Sequence, residues 1–258
     1  MALYGNSANR IKDLLLSAVR DKLITYKPET NQMPFHYRLL GKDRMAMFSF
    51  IQSMNTTFGT SLWEQIAVIL AEERGVKCQR QFKLKGKIDT GTEEFIDSLM
   101  HDLRAAKLIT DKDKEILAIK NKIIKAEPTI DPDSQVDFFM IDKNVEYFVE
   151  IKTAKPNMDI FAAAKRKLLR WVALRFSQAA DSELSTILAI PYNPYEPKPY
   201  ERWTLRGLFD LDKFELLVGK EFWNFVADSD IYDDLLEQFQ IVGNLLRNEI
   251  DEYFSRYK

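Results

Sequence analysis

The sequence contains one cysteine, Cys78, and two histidines, His36 and His101, in 258 residues. A single cysteine excludes an internal disulfide, and with it the small secreted scaffolds that depend on several. Two histidines argue against a His-rich zinc site. Nine glycines and nine prolines are too few for a collagenous or low-complexity chain. No apolar run approaches the roughly 20 residues of a membrane span. Residues 1–6 have no apolar core of signal-peptide length, so a soluble, cytoplasmic protein is expected. Positive charge is not in excess either: 37 Lys and Arg against 39 Asp and Glu leave a net charge of −2. A nucleic-acid site would have to be a local basic patch on a mildly acidic body.

What the chain does have is 46% hydrophobic residues, enough for a substantial core. One stretch, residues 136–152, organises the rest. It reads as two apolar strands joined by a tight turn at Asp142, Lys143 and Asn144. Asp137 starts the first strand, Glu150 nearly ends the second, and Lys152 follows two residues later. Strand side chains alternate, so Glu150 and Lys152 share one face while Val149 and Ile151 share the other. Pairing across the turn brings Asp137 close to Glu150. Two carboxylates and an ammonium on an apolar hairpin are costly to keep unless something binds there.

The flanking pattern frames this hairpin. Helical spacing predicts helices over residues 7–23, with Ser7 as N-cap, and over 43–54 and 62–71. Residues 26–41, with Pro28 and Pro34, read as an irregular connector, and residues 55–61 as a polar turn whose Thr60 or Ser61 caps the next helix. A strand is expected over 76–84 and helices over 92–108 and 111–125. After the hairpin come a basic helix over 161–180, a buried strand over 184–190, a Pro- and Tyr-rich loop over 192–203 and a terminal helix over 232–257. Strand, long helix and strand in that order suggest a crossover joining neighbouring strands of a mixed sheet. No repeat or flexible linker is visible, so one domain over residues 1–258 is expected: a helical N-terminal segment over residues 1–75, a core over 76–226 and a helical C-terminal segment over 227–258.

Two carboxylates on adjacent strands suit a hard divalent cation such as Mg²⁺, which takes one or two of them and completes its shell with water and substrate phosphate. Lys152 would face the same pocket, where it can orient or deprotonate an attacking water or stabilise transition-state charge. The bland alternative is an edge ribbon with cross-strand charge pairs. The apolarity of these strands, the acidic residue in an upstream helix and the basic helix that follows tell against it.

Asp137 followed by Glu150-Ile151-Lys152 resembles the Asp…(Asp/Glu)-x-Lys signature of the PD-(D/E)xK nucleases, with Val136 in place of the proline that often precedes the aspartate. The continuation through Thr153, Ala154, Lys155, Pro156 and Asn157 is similar to the segment after the lysine in type II restriction endonucleases. The stretch from Ser53 to Glu64 resembles the Ser-x-Asn-Thr-x-x-Gly-Thr-x-x-x-Glu segment of the TdeIII/MjaII group, associated with GGNCC-type sites. The resemblance implies an α/β fold with a restriction-endonuclease-like core, a mixed sheet flanked by helices, and further helices at both termini. It also implies a Mg²⁺-dependent type II restriction endonuclease acting on double-stranded DNA, with Asp137, Glu150 and Ile151 as the metal set and Lys152 as the catalytic lysine. Glu64 becomes the acidic residue that an upstream helix commonly adds; read alone, it is a first-turn carboxylate favoured by the helix dipole.

For DNA contacts, Lys155 and Asn157 follow the catalytic strand, and Lys165 and Arg166 lie near the start of the basic helix, where phosphate contacts are plausible. Arg202 and Arg206 flank Trp203 beside the stiff Pro/Tyr loop, a platform from which an arginine can read a guanine. Cutting both strands of a near-palindromic site matches a two-fold homodimer, and a restriction enzyme implies a cognate DNA methyltransferase. Two other readings remain open at this point: a repair or recombination nuclease on the same fold, and a non-catalytic nucleic-acid-binding module.

Overall fold

The computed structural model describes residues 3, 5–123, 130–201, 205 and 207–257, with the backbone alone at 130–133. In chain order the elements are α1 (Asn6–Thr25), α2 (Pro34–Leu40), α3 (Lys42–Thr57), a π-helical turn (Phe58–Leu62), α4 (Trp63–Glu73), β1 (Lys77–Lys85), α5 (Thr90–Arg104), α6 (Lys112–Lys120), β2 (Ile130–Asp142), β3 (Val145–Ile151), α7 (Met158–Gln178), β4 (Leu184–Ile190), β5 (Leu216–Val218), α8 (Lys220–Ala227) and α9 (Tyr232–Ser255). They form two compact units: Met1–Ile69 with Ser229–Lys258, and Leu70–Asp228. No helix among the described residues is long and apolar enough to cross a membrane.

The first unit is helical. Its aromatic centre is Phe50 of α3, whose ring meets Tyr26 after α1 and Tyr253 and Phe254 of α9. The Tyr253 hydroxyl donates to the Tyr26 carbonyl at 2.7 Å, and Arg20 of α1 forks onto Glu249 of α9. Three sequence expectations change here. Ser7 does not cap α1: Gly5 holds the N-cap position and Ser7 is buried as the helix's second residue. The connector over 26–41 contains α2, which starts on Pro34, a residue preset for the first helical turn. The polar stretch 55–61 is not a turn. The hydroxyls of Thr56, Thr57, Thr60 and Ser61 each donate to the carbonyl four residues back, at 2.9–3.4 Å. They hang on the helix instead of capping it, and α3 runs through the π turn straight into α4.

The second unit is a five-stranded sheet in the order β1-β2-β3-β4-β5. The β1–β2 and β2–β3 pairs are antiparallel; β3–β4 and β4–β5 are parallel. β2 and β3 form the expected hairpin: Asp142 pairs with Val145, and Lys143 and Asn144 take φ of 49° and 67°. Both turn residues in the left-handed region make the type I′ turn whose twist suits a two-residue hairpin. α7 is the expected crossover and packs on the sheet from β1 to β4, with α5 and α6 against its other side.

Both faces at the sheet's centre are buried. Phe139 and Phe148 cluster with Trp171 and Leu174 of α7, while Phe138, Met140 and Val149, on the opposite face, are equally covered. Fully burying side chains of this kind contributes about 1.5–3 kcal/mol each. Strand alternation puts Asp137 on the face of Phe139, and Glu150 and Lys152 on the face of Phe148. All three therefore look toward α7.

Candidate active site

The hairpin register pairs Phe138 with Val149, so one step further Asp137 stands opposite Glu150. The Asp137 carboxylate accepts a hydrogen bond from the Ile151 backbone N–H at 2.8 Å. Glu150 is 1% exposed. One of its oxygens accepts from Lys152 and the other from Lys167 at 2.7 Å. Both ammonium groups keep a path to solvent, with the Lys152 side chain 33% and the Lys167 side chain 24% exposed.

Burial and the neighbouring Glu150 carboxylate together push Asp137 up to about pKa 6. The Ile151 N–H, Lys167 and Lys152 pull it some of the way back. The two expected metal ligands thus sit side by side as mutually repelling carboxylates, which a divalent cation relieves. Ile151 is 4% exposed and apolar, so only its main-chain carbonyl can serve as a ligand. Among the described residues no group of three or more His, Cys, Asp and Glu converges on one point. A cation here would rest on two carboxylates and a carbonyl, with water and substrate filling the remaining positions.

The frame around the pair is built from ion pairs and ladder bonds. The Lys152 N–H donates to the Ala189 carbonyl at 3.0 Å, fastening the end of β3 to β4. Glu146, at the other end of β3, holds Arg175 of α7. Arg74 pairs with Asp142 beside the hairpin turn and donates to the Val226 carbonyl at 3.0 Å. Beyond Lys152, the Tyr200 hydroxyl of the Pro/Tyr loop donates to the Ala154 carbonyl at 2.9 Å, and the Lys155 ammonium lies 5.2 Å from the Tyr195 ring centre.

The basic helix is not the cationic surface that its composition suggests. Lys165, expected to contact DNA, is completely buried and paired with Glu115 of α6 and Glu215. It cannot reach a phosphate, because its charge lies in the core beside two carboxylates. Arg166 is at the surface but bonded to Glu93 and Asp97 of α5, and Arg170 also holds Glu93. Asn157 is exposed and caps α7 by accepting from the Ile160 N–H at 2.9 Å. Arg202 and Arg206 lie outside the described residues.

Glu64 is 3% exposed. It opens α4, yet α4 continues α3 without a break, so no free helix N-terminus is present for a dipole to attract it. The residue that sequence reading missed is Lys167 as a partner of Glu150. The signal was there: Lys167 lies four residues before Trp171, so both share a helix face, and a crossover helix lays that face on the sheet.

The family described as "Type II restriction endonuclease, HinfI" matches residues 5–243. The type II restriction enzyme MjaII of Methanocaldococcus jannaschii is 22% identical over 99% of this chain and 74% of its own length. The type II restriction enzymes HgiCII and HgiEI of Herpetosiphon aurantiacus are each 23% identical, over 97% and 98% of this chain and 98% of their own lengths. Such enzymes act on DNA within restriction-modification systems and generally need a divalent metal. With a family match over nearly the whole chain and a mixed sheet that carries paired carboxylates and a lysine, the chain belongs to the HinfI family of type II restriction endonucleases, enzymes that cut DNA at specific sequences.

Proposed function

We propose that Asp137, Glu150 and the Ile151 carbonyl hold Mg²⁺ and that Lys152 assists the water that attacks the scissile phosphodiester of double-stranded DNA. The observation that carries this reading is the buried Asp137–Glu150 pair beside a partly exposed ammonium, where burial first and the facing Glu150 carboxylate second raise the Asp137 pKa to about 6. When bound, the cation supplies Lewis acidity toward the phosphate and a lowered pKa for a bound water. The protein's own residues do the positioning. The Ile151 N–H aims Asp137, and two lysines hold Glu150 by one oxygen each. Lys152 reaches solvent from the same face, where its ammonium can orient the attacking water or stabilise charge building on the phosphate oxygens.

Glu64 enters this reading only on the resemblance, as the acidic residue that an upstream helix commonly adds in such nucleases. Lys155 and Asn157, both exposed just past the catalytic strand, and Arg166 are the proposed DNA contacts, with Arg202 and Arg206 as candidates for base reading. Membership of the family favours restriction over the repair-nuclease and binding-module readings. Two-strand cleavage calls for a second copy of the site, supplied by a homodimer on a near-palindromic sequence. A cognate methyltransferase would protect the same sequence in the cytoplasm of the host.

The test is plasmid cleavage in Mg²⁺. The wild-type protein should yield discrete bands, and run-off sequencing of their ends reads the site, for which the GGNCC type is the expectation. Alanine at Asp137, Glu150 or Lys152 should abolish cutting with the circular dichroism spectrum unchanged. A folded Asp137→Ala protein that still cuts would overturn the assignment.

A further inference from the structure

α7 carries Lys165, Arg166, Lys167, Arg170 and Arg175, and each meets a carboxylate. Lys165 is sealed between Glu115 and Glu215, Arg166 and Arg170 are held by Glu93, and Arg175 is held by Glu146. The ion pairs of these four residues join α7 to α5, to α6, to β3 and to Glu215 just before β5, and fix the helix's rotation over the sheet. Lys167 differs, because its partner is Glu150, one of the two carboxylates assigned to the metal. It projects over the Trp171 ring, 5.1 Å from the centroid, so its stem is supported and its ammonium aimed. Glu150 therefore has both oxygens occupied by ammonium groups, one on the strand and one on the helix.

An oxygen cannot serve an ammonium and a metal ion at once without weakening one of them. Engagement of Glu150 by a cation leaves Lys167, whose side chain is 24% exposed, with a charge that has lost its partner. The group that then arrives in that space is the scissile phosphate, an anion that suits an ammonium point charge.

We propose that Lys167 is a second active-site lysine that competes with the metal for Glu150 and, once displaced, binds the scissile phosphate, so that it couples metal binding to DNA binding. This rests on the metal assignment made above for Asp137 and Glu150. Coupling of this kind is reciprocal: whatever the metal adds to DNA affinity through Lys167, DNA adds to metal affinity.

The experiment uses Ca²⁺, which usually occupies such sites without supporting cleavage. Ca²⁺ binding is measured by calorimetry without DNA, and the affinity for a duplex carrying the mapped site is measured with and without Ca²⁺. Lys167→Gln should bind Ca²⁺ alone at least about fivefold more tightly, the lower end of usual coupling factors, because the competitor is gone. The same variant should lose most of the Ca²⁺-dependent gain in DNA affinity and cleave more slowly in Mg²⁺. Lys167→Arg, which keeps the charge, should return both binding readouts toward wild type. Should Lys167→Gln fold poorly, Lys167→Met keeps the stem on Trp171 and should show the same signature. Wild-type Ca²⁺ affinity together with an undiminished Ca²⁺ effect on DNA binding, in a folded variant, would overturn the proposal. A different result marks failure of the metal assignment itself: Asp137→Ala and Glu150→Ala proteins that still bind Ca²⁺ and still cut.

Discussion

Asp137 on β2 is held by the backbone N–H of Ile151 on β3, at 2.8 Å. That single bond sets the distance between the two halves of the site. It ties the first carboxylate to the residue that directly follows the second, so any slip of the hairpin register would move Asp137 off Glu150 and onto the opposite face. The type I′ turn at Lys143 and Asn144 pins the register from the other end.

The pair is kept at a cost to the fold, which predicts a trade. Asp137→Asn removes one of two repelling carboxylates while leaving an amide oxygen to accept from Ile151. In metal-free buffer at pH 8 the variant should be more stable than wild type, by about 1–3 kcal/mol, because burial and the Glu150 charge penalise the ionised Asp137, read as a higher urea midpoint. Cleavage should fall by roughly 10³-fold or more, the scale of losing one group that stabilises the transition state. A variant neither stabilised nor inactive would contradict the assigned role of Asp137.

The raised pKa also sets a pH window. Asp137 titrates near 6 in the folded protein and at 3.8 as an ordinary aspartate. Between those values the folded state holds a proton that the unfolded state has released. Its contribution to stability is full below 3.8 and disappears as the pH rises through 6. Cation binding runs the other way, since the proton must leave first. Ca²⁺ affinity by calorimetry should be flat above about pH 7 and fall about tenfold per unit below about 6, approaching the slope of one displaced proton. A profile flat down to about pH 5 would show that Asp137 is not a ligand.

Lys165 supplies a third prediction, now as a core residue. Lys165→Ala leaves Glu115 and Glu215 buried without their shared cation, which should cost about 3–5 kcal/mol. Burial already raises the Glu115 pKa, so the loss should be partly recovered by pairing the substitution with Glu215→Gln. The salt dependence of DNA binding should not change, because only a side chain that neutralises a phosphate lowers that slope, by roughly one, when it is removed. A reduced slope with unchanged stability would return Lys165 to the surface.

The hairpin and the crossover were legible because their signals are local. Alternation, a two-residue turn and a long amphipathic helix each depend on residues close in sequence, and β3, α7 and β4 follow from them. What stayed hidden depended on partners far along the chain. Nothing near Lys165 announces Glu115 and Glu215, each 50 residues away, so a core lysine looked like one more charge on a basic face. Thr60 and Ser61 look like caps locally, but their hydroxyls have helical carbonyls within reach, and the helix continues through them. Lys167 was visible as a charge; its direction became visible only once α7 was laid on the sheet.

The last prediction tests how closely α7 must lie on that sheet. Gly86 follows β1, where its backbone passes against the end of α7. A Cβ at this position would collide with the Leu174 carbonyl group and lie 2.8 Å from the Ser177 hydroxyl. Ser177 is fully engaged there: its hydroxyl donates to the Leu174 carbonyl at 2.8 Å and accepts from the Lys87 N–H at 3.2 Å. Neither neighbour can swing aside as a flexible surface chain would. Gly86→Ala should therefore push β1 and α7 apart and cost about 1–3 kcal/mol, seen as a lower urea midpoint. Because α7 also carries Lys167 to Glu150, the cleavage rate of the folded variant should drop as well. Ser177→Gly combined with Gly86→Ala removes one of the three obstructing atoms, so it should recover some of the rate while stability stays low. Wild-type stability in Gly86→Ala would mean that α7 can move without cost, and its ion pairs could not then be what fixes Lys167 in place.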